Sequence, residues 1–154
     1  MMSTKTSIIL LPFFREYIDL FQRGKKKIEF RKVTLPDHLR YILVYQCATL
    51  KKVVGYMVVK KVVSGTPDEI WIQYHHISGV FRDIYDTYYA NAKKAVGIII
   101  DRYVPFEKPV ALTDIDENLK PPQSFCYLSE NAFVKALEVA EEKIIPTQTT
   151  KRLS

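Results

Sequence analysis

The apolar positions of this chain change period several times, and each change marks an element. Ser7 to Leu11 is an unbroken apolar run of strand length, the pattern of a strand buried on both faces. From Pro12 the period lengthens: Phe13, Phe14, Tyr17, Ile18 and Phe21 share one face of a helix that Pro12 opens in its first turn. Gly24 stands where a left-handed C-terminal cap belongs. Strand patterns follow at Ile28 to Lys32, Tyr41 to Gln46 and Val53 to Val63. Thr66, Pro67 and Glu69 spell a capping box and predict a short helix from Pro67 to about Tyr74. Phe81, Ile84, Tyr85 and Tyr88 recur at near-helical spacing. Ala95 to Ile100 reads as a second buried strand, and Val104 to Leu112 as a further extended piece.

The acidic stretch TDIDENLKPP predicts a loop, PQSFCYL a tightly held extended segment, and Ser129 the cap of a closing helix that runs to about Lys143. The order β-α-β-β-β-α-α-β-β-α predicts an α+β fold, a small mixed sheet or open barrel with helices closing its ends. With 154 residues, 47% of them apolar, the chain suits one domain over residues 1–145. Residues 146–154 are polar, lack periodicity and are expected to be disordered.

Charge changes the picture by its placement. Residues 1–66 carry thirteen Lys/Arg against four Asp/Glu, whereas 67–154 carry ten against thirteen, so the formal net charge of +6 is concentrated in the first half. Anionic partners such as nucleic acid or nucleotides are favoured there. The two cysteines, Cys47 and Cys126, have no metal-ligand spacing and predict neither a disulfide scaffold nor a zinc site. Cys47, inside a strand pattern, reads as a small buried apolar residue. SIILLPFF is too short, and is interrupted by Pro12, to span a membrane or act as a signal core, so a cytoplasmic protein without membrane partners is expected.

The chain contains no P-loop, G-x-G-x-x-G, H-E-x-x-H or G-x-S-x-G sequence. Dinucleotide, NTPase, zinc-protease and serine-hydrolase chemistry are therefore unsupported, and no cofactor or metal is required. Adjacent His75 and His76 point apart on any regular element and make a poor metal pair.

The densest candidate chemistry is RGKKKIEFRK, Arg23 to Lys32, with six cations and one acid. In a strand after the helix cap, Lys27, Glu29 and Arg31 share one face while Ile28 and Phe30 take the other. Glu29 then lies within reach of a cation on each side. A solvated basic face and an anion-binding site both fit this pattern.

The arrangement G-x-K-x-x-E-F-R at Gly24, Lys26, Glu29 and Arg31, after a strand and an amphipathic helix, closely resembles the signature of the ASCH domain, a relative of PUA domains. Tyr45 at the end of the next strand, Gly55, Trp71 in DEIW, Tyr88-Tyr89 and PPQSF fall where similar members have comparable features, so the resemblance covers roughly residues 5–128. It implies a PUA-like mixed β pseudo-barrel flanked by helices, with the motif lining a cleft that binds RNA, single-stranded nucleic acid or a modified nucleotide, in regulation of transcription or translation. Gly24 would turn the backbone near the ligand, Arg31 make a forked contact to phosphate and Lys26 add a point charge. Glu29 would orient those cations or accept from a base edge.

Tyr45, Tyr89 and Ser124 complete the ligand-binding candidates. Phe81, Tyr85 and Tyr88 are expected in the core and Tyr89 exposed for stacking. Trp71 is expected in the core or on the cleft wall.

Two other functions stay open. Relatives of this fold include N4-acetylcytidine amidohydrolases and members credited with ribonuclease activity, for which Lys26 and Glu29 would be the catalytic candidates. The amidohydrolases, however, resemble one another in a threonine nucleophile where this chain has Glu29. A protein-interaction domain working through its acidic second half is the third possibility.

Overall fold

The computed structural model describes residues 7–142. Strand β1 (Ser7–Phe13) is followed by α1 (Arg15–Gln22), β2 (Ile28–Arg31), β3 (Leu39–Gln46) and β4 (Lys52–Gly65). Helix α2 (Pro67–Tyr74), a 3-10 turn (His75–Ile77) and α3 (Arg82–Tyr88) precede β5 (Ala95–Val110). The short helix α4 (Leu112–Ile115), β6 (Cys126–Leu128) and α5 (Glu130–Glu142) complete the chain. The strands form one mixed sheet in the order β2-β5-β4-β3-β1-β6. Only β1 and β3 pair in parallel.

The unbroken apolar run of β1 serves two cores at once. Ile9, Leu11 and Phe13 join Ile42, Val44, Met57 and Ile98 on the inner face of the sheet, while Ile8 and Leu10 join Leu43, Val53 and the α5 residues Phe133 and Ala136 on the outer face. A third cluster packs Ile28 and Phe30 of β2 against Ile70 of α2 and Tyr85 of α3. The sheet coils strongly: Arg31 on β2 donates from Nη2 to the Pro12 carbonyl of β1 at 2.7 Å, although three strands lie between them in the order. That bond spans the open side of a pseudo-barrel.

Several elements differ from the sequence reading. Pro12 does not open a helix; it extends β1, pairing in register with Tyr45, and α1 begins at Arg15 with Phe14 as its N-cap. Strand alternation carries Phe13 inward and leaves Phe14 exposed, so those two residues do not share a helical face. The two extended pieces read around Asp101 are one bent strand, β5, whose pairing with β4 shifts register near Val58 and Val59. The acidic stretch begins inside α4, which takes in Thr113–Ile115, and only Cys126–Leu128 of PQSFCYL is strand. The end of the closing helix near Lys143 and the tail 146–154 lie outside the described residues.

The α2 cap forms as the sequence indicates. Glu69 N–H donates to Thr66 Oγ1 at 3.1 Å, and Thr66 N–H donates to Glu69 Oε1 at 2.8 Å. Thr66→Ala removes the first of these and is expected to cost about 1 kcal/mol. Thermal unfolding should show this as a fall of about 2–4 °C.

Candidate functional site

The turn between α1 and β2 is a Schellman cap. Gly24, at φ +73°, donates to the Phe21 carbonyl and Lys25 N–H to the Leu20 carbonyl. The reversal aims Lys26 inward. Its side chain is buried, with only 3% of its surface exposed, and Nζ donates to the Ser78 carbonyl at 2.8 Å. Three rings surround the ammonium, with centroids 5.1 Å (Phe30), 5.4 Å (Tyr17) and 5.6 Å (Phe21) away. Burial holds the Lys26 pKa below its ordinary value, the Glu29 carboxylate opposing that shift and the Arg31 charge adding to it.

Alternation along β2 places Ile28 and Phe30 in the third core cluster and Glu29 and Arg31 on the other side. Arg31 grips one carboxylate oxygen, Glu29 Oε2, through Nε at 3.0 Å and Nη2 at 2.9 Å. Its other bond, to Pro12, anchors the pair to β1. Among the described residues Glu29 Oε1 has no hydrogen-bond partner, whereas every fully buried side-chain nitrogen or oxygen is satisfied. Oε1 is therefore open to solvent and free to accept. Lys27, on the reading a partner of Glu29, is instead exposed, standing one residue before β2 begins at Ile28.

Lys26, Glu29 and Arg31 meet at a cavity of about 480 Å³. Its walls are mostly apolar: Phe13, Phe14 and Tyr17 from the β1–α1 corner, Phe30, and Ile84, Tyr85 and Tyr88 from α3. Cys47 and the Pro122–Gln123 segment close other sides. Cys47 lies just past β3 rather than within it, half-buried, and its thiol donates to the Phe13 carbonyl at 3.2 Å. Burial pushes the Tyr85 hydroxyl up to about 12, so it stays protonated and donates to the Pro67 carbonyl at 2.8 Å.

Four other candidate residues do not line this cavity. Gly24 shapes the turn that directs Lys26. Ser124 is exposed beside Gln123. Tyr45 is buried in the outer cluster with Leu43, Val53 and Phe133, because its strand position points it toward α5. Tyr89 is buried rather than exposed: it sits four residues after Tyr85 on the inner side of α3, and its hydroxyl donates to the Arg31 carbonyl at 2.9 Å. Phe81 takes the opposite course, 78% exposed as the N-cap of α3. Trp71 is partly buried against Tyr85 and stacks on His75, away from the cavity walls. The i, i+4 spacing of Tyr85 and Tyr89 carried the signal for the inner pair. No local pattern announced Phe14, Cys47 or the Ser78 carbonyl.

A strongly coiled mixed sheet with helices over its open side, and a cavity between β2 and those helices, defines a PUA-like α+β fold. More particularly it is the fold of an ASCH domain. The ASCH protein of Zymomonas mobilis superposes with a TM-score of 0.77 at 23% identity, over 86% of this chain and 94% of that one. A serine-to-alanine variant of that protein gives 0.78 at 24%, over 86% and 95%. The N-terminal domain of Staphylothermus marinus McrB is more distant, at 0.55 and 10%, over 85% and 93%. No protein-family model matches the chain. Among curated proteins, the large ribosomal subunit protein uL22 of Ureaplasma parvum is 30% identical over 109 residues, 71% of this chain. The match spans 35% of that protein's length. Among the described residues no helix is long and apolar enough to cross a membrane.

Proposed function

We propose that this chain is a nucleic-acid-binding domain that takes one unpaired base of RNA, another single strand or a modified nucleotide into the aromatic cavity. The observation that supports this is the cavity itself, a space of about 480 Å³ with ring walls and two polar groups, the Lys26 ammonium, which keeps N–H donors beyond the one given to Ser78, and the free Glu29 Oε1. Small-molecule sites typically combine apolar walls with a few placed polar groups in this way. A base edge with both a carbonyl oxygen and an N–H can accept from the first and donate to the second. Arg31, with Nε and Nη2 already engaged, acts by fixing Glu29 rather than by forking onto phosphate. The ribosomal naming of the curated relatives favours translation over transcription as the setting. We place the chain in the cytoplasm, where free Cys47 and Cys126 stay reduced.

Hydrolysis of a modified nucleotide is the second reading, supported by the lowered basicity of Lys26. It ranks lower because no Ser or Thr is among the residues lining the cavity. Release of acetate from N4-acetylcytidine by the purified protein, abolished in Lys26→Ala, would reverse the order.

The binding reading is tested by calorimetric titration with nucleosides and short RNA oligomers. Tyr88 stands at the mouth with 39% of its surface exposed. Base stacking is worth about 1–3 kcal/mol, so Tyr88→Ala is expected to weaken nucleoside binding about tenfold. A wild-type protein that binds neither nucleosides nor oligomers would overturn the proposal.

A further inference from the structure

Exposed cations flank both ends of β2, whose residues Glu29, Phe30 and Arg31 line the cavity. Arg23, Lys25 and Lys27 precede the strand and Lys32 follows it. At extended spacing Lys27 and Lys32 are about 16 Å apart along the backbone. The two ends differ in what they adjoin. Lys32 Nζ lies 4.7 Å from the centroid of Tyr88, the ring that forms part of the cavity mouth. Two residues further on, Thr34 Oγ1 accepts from Lys94 Nζ at 3.2 Å. The bond from Tyr89 to the Arg31 carbonyl ties the end of α3 to the end of β2. Together these contacts fold the turn before β5 against residues 32–34 and bring Lys94, with exposed Lys93 beside it in the chain, to the Lys32 side of the cavity mouth.

All three of these lysines are exposed. Among the described residues none is paired with a carboxylate, whereas Arg15, Arg31, Arg82 and Arg102 each are. Like charges held together on a surface repel one another, and a polyanion relieves that repulsion. A strand continuing from a base in the cavity past Tyr88 would meet these charges.

We propose that Lys32, Lys93 and Lys94 form a track for the phosphates adjoining a base held in the cavity, so that the partner is a single strand and not a free nucleotide. This rests on the reading of the cavity as a base site. Phosphates on the track would follow the flanking sugar units past Tyr88, with Lys32 serving both that ring and the first phosphate.

The test compares two variants of equal charge change, Lys32→Gln/Lys93→Gln/Lys94→Gln and Arg23→Gln/Lys25→Gln/Lys27→Gln, by titration with nucleosides and with a single-stranded RNA hexamer over a salt series. The track variant is expected to bind the hexamer about tenfold more weakly, with its salt slope reduced by about 2, since each single-strand phosphate contact contributes about 0.7. Its nucleoside affinity should change far less than its hexamer affinity, since of the three lysines only Lys32 meets the Tyr88 ring. The charge-matched variant should lose far less of its hexamer affinity. Equal losses in both variants would show net charge acting without a track and overturn the proposal, as would a track variant with wild-type hexamer affinity. If nucleosides fail to bind while the track variant still loses hexamer affinity, the track stands and the base reading of the cavity falls. Failure of the wild type to bind the hexamer removes the track, and the base reading falls with it only if nucleosides fail to bind as well.

Discussion

Lys26→Met is expected to lower nucleoside affinity about a hundredfold, since a hydrogen bond from a charged donor is worth about 1.5–3 kcal/mol, while the protein stays folded. The substitution keeps the length of the side chain and its place among Tyr17, Phe21 and Phe30, but removes the ammonium. Two opposing terms act on stability. The Ser78 carbonyl loses its donor, a cost of about 1–3 kcal/mol. Against this, the cost of burying a charge disappears, and burial is the largest cause of the lowered Lys26 pKa. The two offset, and the thermal transition should move by only a few degrees.

The same shift fixes a pH dependence. Because the native pKa lies below the ordinary 10.5, there is a pH window, bounded above by 10.5, in which folded Lys26 has lost its proton and unfolded Lys26 retains it. The unfolded state binds more protons in that window, so the contribution of Lys26 to stability rises with pH across it. Nucleoside affinity should fall over the same window as the donor loses its charge. The Met variant should show neither leg. A Met variant that folds and binds nucleosides like the wild type would remove Lys26 from the site.

What the sequence disclosed about this site was the part that local rules govern. Gly24 as a cap, the Thr66 box and the alternation of Ile28 to Arg31 each depend on residues within a few positions, and each stands in the structure where those rules put it. The ASCH-like fold was legible through the spacing of the motif within the order of elements. What was not legible depended on partners distant in the chain. Pro12 and Phe13 satisfy a strand and a helix pattern equally well, and pairing with β3 decides between them. Tyr89 and Phe81 exchange places relative to the reading because α3 is rotated to deliver one hydroxyl to the Arg31 carbonyl. The anchoring of Arg31 was hidden for the same reason: Pro12, nineteen residues away, takes one arm of its guanidinium.

Gly55→Ala tests the coiling of the sheet itself and is expected to be the most damaging single methyl addition at a glycine. A Cβ there would stand 2.5 Å from the Val104 carbonyl oxygen and 2.7 Å from the Tyr103 hydroxyl oxygen. The carbonyl belongs to a strand paired with β4, and the Tyr103 hydroxyl donates to the adjoining Val54 carbonyl at 3.2 Å, so neither neighbour can move independently. Register shifts between Val44 and Tyr45 and between Val53 and Gly55 show that β4 is already irregular on both sides at this point. Overpacking of this kind costs about 1–3 kcal/mol, and loss of the Tyr103 bond adds about 1 more. A fall of roughly 4–16 °C in the thermal transition follows at about 2–4 °C per kcal/mol. Gly97→Ala supplies the internal comparison: its nearest neighbours, Ile28 Cδ1 at 2.7 Å and Val63 Cγ2 at 3.1 Å, are ends of side chains and not backbone. Its destabilisation should therefore be smaller, about 1 kcal/mol. Equal transitions for the two variants would mean that the crossing of Tyr103 over β4 is not the tight point of the coil, and that the contact between β2 and β1 which shapes the cavity is held from elsewhere.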